Sequence, residues 1–142
     1  MGLPETVLFR CPHNAAKSVH AAAYFNQEAG VRGLPFRADS AGTEPDEQPA
    51  PAVVAALRDE GIDVAGHRPR LVSVEDLANA HRVISLGCNT DDLPRSNVRV
   101  DRWDDVPSAS RDLAGSRDAI RRYVDILLEE LAGETPQPST TA

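Results

Sequence analysis

A short β-forming run that stops at a cysteine and a proline restricts this chain more than any other feature. Thr6 to Arg10 reads TVLFR, which suits a buried strand leading into a loop at Cys11-Pro12. From Ser18 the segment SVHAAAYFNQEAG combines strong helix formers with apolar residues at helical spacing, and Gly30 is placed to end it. The opening unit is strand, loop, helix.

The alternation then repeats. Pro35 to Ala41 (PFRADSA) reads as a second strand, and the Gly42, Pro45, Pro49 cluster marks the loop after it. Ala50 to Glu60 carries Val53, Val54, Ala56 and Leu57 on one helical face before Gly61 stops it. Ser73 to Ala80 (SVEDLANA) opens with Ser and has Asp76 at the third position after it, a variant capping box that predicts a short helix. Arg82 to Leu86 (RVISL) is a third strand ending at Gly87-Cys88, and Val98 to Val100 is a short fourth before a loop with Trp103 and Pro107. The clearest helix is Ser110 to Ala132, with Ile120, Val124, Leu127, Leu128 and Leu131 on one side. This order predicts a mostly parallel sheet with helices on both faces, in which ligands bind beyond the carboxyl ends of the strands. Cys11 and Cys88 both fall at such ends. Residues 1–132 read as one domain, and Gly133 to Ala142 (GETPQPSTTA) as a disordered tail.

Composition narrows the function classes. A chain of 142 residues with 41% hydrophobic and 26% charged residues has the ordinary globular balance. Its net charge of -7 argues against nucleic acid or an anionic membrane as partner, so an anion must be caught by local geometry. The N-terminal MGLPETVLF lacks a secretory signal and no long apolar stretch follows, from which a cytoplasmic location is expected. Two cysteines without metal-ligand spacing point to reduced thiols rather than a disulfide scaffold or zinc.

The loop CPHNAAKS, Cys11 to Ser18, runs from a strand end to a helix start, where unpaired N–H groups and the helix dipole favour an anion. A thiol in such a place loses its proton more easily, and the thiolate is the nucleophile. Lys17 supplies a positive charge; it is the only lysine among the 15 basic residues. Ser18 is placed either to donate to the thiolate or to cap the helix. The plainer alternative is that Cys11 is a small buried hydrophobe at a strand end.

This loop, with its strand before and helix after, resembles the C-x5-R-S loop of the low-molecular-weight protein tyrosine phosphatase superfamily. It is most similar to the arsenate reductase branch, through the Cys, the His-Asn-Ala and the Ser with its Ala-rich helix. SAGTEP at Ser40 to Pro45, EGID at Glu60 to Asp63, HRPR at His67 to Arg70 and ISLGC at Ile84 to Cys88 resemble that branch in the same order. The resemblance implies a three-layer α/β/α fold on a four-stranded parallel sheet. It also implies Cys11 as nucleophile, Asn14 as the residue that holds the loop's shape, and an oxyanion nest built from Pro12, His13, Asn14, Ala15, Ala16, Lys17 and Ser18.

Two departures from that pattern bear on activity. Lys17 stands where the family has Arg, and a point charge replaces a planar bidentate fork. No Asp-Pro occurs in the expected acid loop, which reads WDDVPSAS from Trp103 to Ser110; Asp104 and Asp105 are the candidate general acids, or else solvated loop residues. Cys88 is the internal candidate for a second thiol, or else a structural one, and NTDDLP after it offers no third cysteine. Two routes of resolution follow: direct Cys11–Cys88 bonding, or a low-molecular-weight thiol such as mycothiol as co-substrate with a thioredoxin- or mycoredoxin-type reductant. Trp103 is read as site lining or core, and His20, His67 and His81 as surface or packing residues. The expected activity is arsenate reductase-like thiol chemistry on a small oxyanion, arsenate or phosphate. The alternatives are hydrolysis of phosphomonoesters and oxyanion binding without catalysis.

Overall fold

The computed structural model describes residues 4–87 and 99–134. In chain order these form β1 (Glu5–Cys11), α1 (Lys17–Arg32), β2 (Phe36–Gly42), α2 (Pro51–Asp59), α3 (Val74–Asn79), β3 (Ala80–Ser85), β4 (Arg99–Arg102) and α4 (Leu113–Glu134). The four strands make one sheet in the order β2-β1-β3-β4, and every pair is parallel. The expected doubly covered parallel sheet is therefore present.

Alternation along β1 divides the core in two. Val7 and Phe9 join Ala21 and Phe25 of α1 and Ile120, Val124 and Leu128 of α4 on one face. Leu8, on the other face, meets Leu77 of α3 with Ala41, Ala80 and Val83. A central strand covered on both sides loses almost all its solvent contact, and Val7, Leu8 and Phe9 are at most 1% exposed. Trp103 packs in the first cluster, between Phe9 at 5.6 Å and a stacked Tyr123 at 5.0 Å.

Element ends depart from the expected ones for local reasons. Gly30 stays within α1; Gly33 takes the left-handed turn instead, with φ 66°. There Gly33 N–H donates to Gly30 O at 3.2 Å and Leu34 N–H to Ala29 O at 3.0 Å, while Leu34 packs on the core, as this helix stop requires. Helix α4 begins at Leu113 rather than Ser110, because Asp112 accepts from Gly115 N–H at 2.9 Å and so caps the first turn. At its other end α4 includes Gly133 and Glu134, which corrects the tail boundary expected at Gly133. Glu134 is anchored there by Arg82 at 2.9 Å and His81 at 3.2 Å. The Ser73–Asp76 capping box forms in both directions and opens α3. Among the described residues no helix is long and apolar enough to cross a membrane.

Candidate active site

The parallel register sets Cys11, the last residue of β1, beside Gly42, the last of β2. Both strands thus deliver their carboxyl ends to one place. A β-carbon on Gly42 would come within 2.7 Å of Pro12 O, 2.9 Å of Asn14 N and 2.9 Å of Cys11 O, all backbone atoms. Only glycine lets β2 lie this close to the loop.

The loop after Cys11 is tied from within and from outside. Asn14 is the one non-glycine residue with positive φ among those described, at 48°, in the left-handed region that asparagine tolerates. Its fully buried amide accepts from Arg70 N–H at 3.0 Å and donates through Nδ2 to Ser18 Oγ at 2.9 Å. Ser18 Oγ in turn lies 2.9 Å from Cys11 Sγ. As a thiol Cys11 donates to that hydroxyl; because the hydroxyl also accepts from Asn14, its own proton is free to turn to the sulfur when the sulfur carries the charge. His67 Nε2 reaches Asn14 O at 3.3 Å, and the loop carbonyls of Pro12, His13 and Ala15 accept from Glu44, Asp46 and Ala50 N–H.

Helix α1 starts at Lys17, and no side chain caps it. Its first N–H groups are thus left to an incoming anion, beside the ammonium of Lys17. In front of Cys11 opens a cavity of about 440 Å³, lined by Pro12, His13, Ala15, Ala16 and Lys17 of the loop, by Asp46, and by residues 50–53, 86–87 and 108–110. Cys11, Asn14, Lys17 and Ser18 are therefore brought together, with Cys11 itself only 5% exposed.

The candidate general acids are not brought there. Asp104 pairs with Arg102 at 2.9 Å, and Asp105 takes both contacts of the Tyr123 hydroxyl, at 2.6 and 2.7 Å. That hydrogen bond also raises the Tyr123 pKa above the usual phenol value. From the same segment Ser108, Ala109 and Ser110 line the cavity instead. Cys88 lies outside the described residues. Trp103 belongs to the core and not to the cavity.

The match to a family model now decides the class. The model described as low molecular weight phosphotyrosine protein phosphatase covers residues 6–104. This chain belongs to that family. A relative named putative arsenate reductase, from Halobacterium salinarum, is 31% identical over 97 residues, 67% of this chain and 68% of its own. Among solved structures, YfkJ from Bacillus subtilis has a TM-score of 0.84 at 25% identity, over 95% of this chain and 99% of that one. A thioredoxin-dependent arsenate reductase from Corynebacterium glutamicum gives 0.82 at 22% identity over 93% of this chain, which spans 64% of that protein, and so speaks for the fold alone.

For this member of the low-molecular-weight phosphatase family, several residues at the site were not singled out by sequence reasoning. His67 and Arg70 brace the loop, and the signal available was their place in HRPR, matched in order to the family. Gly42 is legible as a loop marker and as part of SAGTEP, but its close approach to the loop after Cys11 comes from the fold. Asp46 carried no signal: it is one acid in an acidic loop, and only the fold sets it 3.4 Å from His13.

Proposed function

We propose that this protein is an arsenate reductase-like thiol enzyme in which Cys11 attacks the oxyanion. The observation that carries the reading is the make-up of the cavity: a cysteine, a lysine and an uncapped helix start are present, while neither aspartate of the WDDVPSAS segment lines it. Expelling an alkoxide or phenoxide from a phosphomonoester demands a strong acid, since the uncatalysed reaction is very slow. Arsenate exchanges its oxygens readily and asks for less. The relative named putative arsenate reductase supports the same choice.

In this reading the Cys11 sulfur forms a bond to arsenic as one oxygen leaves as water. A second thiol then attacks the Cys11 sulfur; an S–S bond forms, the S–As bond breaks, and its electron pair stays on arsenic, which departs as arsenite. The second thiol is Cys88 or a low-molecular-weight thiol of the mycothiol type, and a thioredoxin- or mycoredoxin-type reductant restores Cys11. The phosphatase alternative keeps one observation in its favour, a cavity of about 440 Å³ that has room for the organic part of an ester.

The test is NADPH consumption by the purified protein with arsenate, a low-molecular-weight thiol and its disulfide reductase. Turnover that disappears in Cys11→Ser is expected. No consumption above background, alongside Cys11-dependent hydrolysis of an aryl phosphate, would reverse the ranking.

A further inference from the structure

The cavity in front of Cys11 holds one more acid–base pair, which neither the loop motif nor the family match assigns. His13 and Asp46 both line it. The imidazole Nδ1 lies 3.1 Å from Glu44 O and 3.4 Å from Asp46 Oδ1. A carbonyl only accepts, so Nδ1 carries the hydrogen, which fixes the tautomer and leaves Nε2 as the exchanging nitrogen. Backbone bonds hold the two residues in place: Glu44 N–H donates to Pro12 O at 2.7 Å and Asp46 N–H to His13 O at 2.9 Å. An imidazole held on one nitrogen by a backbone carbonyl, with a carboxylate 3.4 Å from that same nitrogen, in a residue that lines the nucleophile's cavity, has the parts of a proton carrier. The other titratable groups lining that cavity are Cys11 and Lys17.

We propose that His13, with Asp46 beside its Nδ1, moves the protons of this site in place of the aspartates of the WDDVPSAS segment. The proposal rests on the reading of Cys11 as nucleophile toward an oxyanion. In the first step the Cys11 thiolate bonds to arsenic, an As–O bond breaks, and the leaving oxygen takes the proton of the imidazolium Nε2 and departs as water. In the second, the neutral Nε2 takes the proton of an incoming thiol, whose sulfur attacks the Cys11 sulfur as the S–As electron pair passes to arsenic. Two thiol sulfurs are oxidised to a disulfide, As(V) is reduced to As(III), and His13 ends as it began, protonated. An imidazole suits both halves. A carboxylate is too weak a base for a thiol proton, whereas an imidazole lies close enough to a thiol in basicity to take it.

Two measurements on the full-length protein test this. The first follows the His13 ring nitrogens by NMR against pH, with and without saturating orthovanadate, an oxyanion that bonds to thiolates. Bound vanadate is expected to raise the His13 titration midpoint by about one pH unit, a tenfold preference for the proton-donating form, with Asp46→Asn blunting the rise and Asp46→Glu restoring it. The second is arsenate-dependent thiol oxidation, in which His13→Gln is expected to lose roughly 100-fold in kcat with little change in KM for arsenate and to lose the wild-type pH dependence. A His13 midpoint unmoved by bound vanadate overturns the assignment. So does wild-type turnover and pH profile in His13→Gln, or the same loss appearing in Asp105→Asn instead. If orthovanadate does not bind at all, the oxyanion reading of Cys11 fails first and takes this one with it, so the two failures are distinct.

Discussion

His20 makes a prediction that can be worked from its surroundings. It lies on α1 two residues after Ser18, is 1% exposed, and its Nε2 has no hydrogen-bond partner among the described residues. Burial, and then the charges of Arg121 and Arg117 on α4, push its pKa from 6.5 down to about 4. The native state therefore holds a neutral ring where the unfolded chain takes a proton. Stability from this group is complete above the unfolded value and is lost as pH falls toward the folded one; each unit of difference is about 1.36 kcal/mol, giving about 3 kcal/mol in full. Between pH 7 and pH 5 the same relation gives a loss of about 2 kcal/mol, roughly a 30-fold drop in the folding constant. The assay is urea unfolding at both pH values for wild type and His20→Gln. Glutamine does not titrate, so its own effect on stability cancels when each protein is compared with itself. The wild type should lose about 2 kcal/mol more than the variant over this range. Equal losses in the two proteins would refute the account of a buried neutral imidazole.

Gly42→Ala puts a methyl against three backbone atoms that only a shift of the loop relieves. The expected cost is about 1 to 3 kcal/mol, read by urea unfolding, together with weaker protection of Cys11 from alkylation by arsenate. Asn14→Ala leaves Arg70 N–H without its acceptor and strains a left-handed residue, for a loss of roughly 2 to 4 kcal/mol in thermal or urea unfolding. Asn14→Gly removes the strain but not the missing hydrogen bonds, so it should recover only part of that loss.

Local chemistry made much of the fold readable. TVLFR declared a buried strand because it is a short run rich in β-formers that ends at Cys-Pro, and Ser73 with Asp76 declared a helix start because that pair satisfies two backbone donors. The loop at Cys11 was readable for the same reason: its strand and helix are local, and the ends they present follow from the backbone. What failed was whatever another part of the chain decides. Gly30 and Gly33 are alike as residues, and the burial of Leu34 selects which one ends α1. Asp105 looks free to act as an acid until Tyr123, 18 residues on, captures it. Asp46 meets His13 only because the β1–β2 register sets Cys11 beside Gly42. Cys88, legible as a strand-end thiol, lies outside the residues the structure describes.

The bracing of Asn14 by residues far along the chain has a consequence for the molecule's lifetime. Arg70 N–H and His67 meet the loop from sequence separations of 56 and 53. The nest is therefore absent from any partly assembled chain, and an anion that fills it recognises only the finished fold. Such a ligand stabilises the whole domain by mass action, by about 2.7 kcal/mol at a hundredfold excess over its Kd. An oxyanion-rich medium would then protect this protein from heat and proteases even where no turnover occurs.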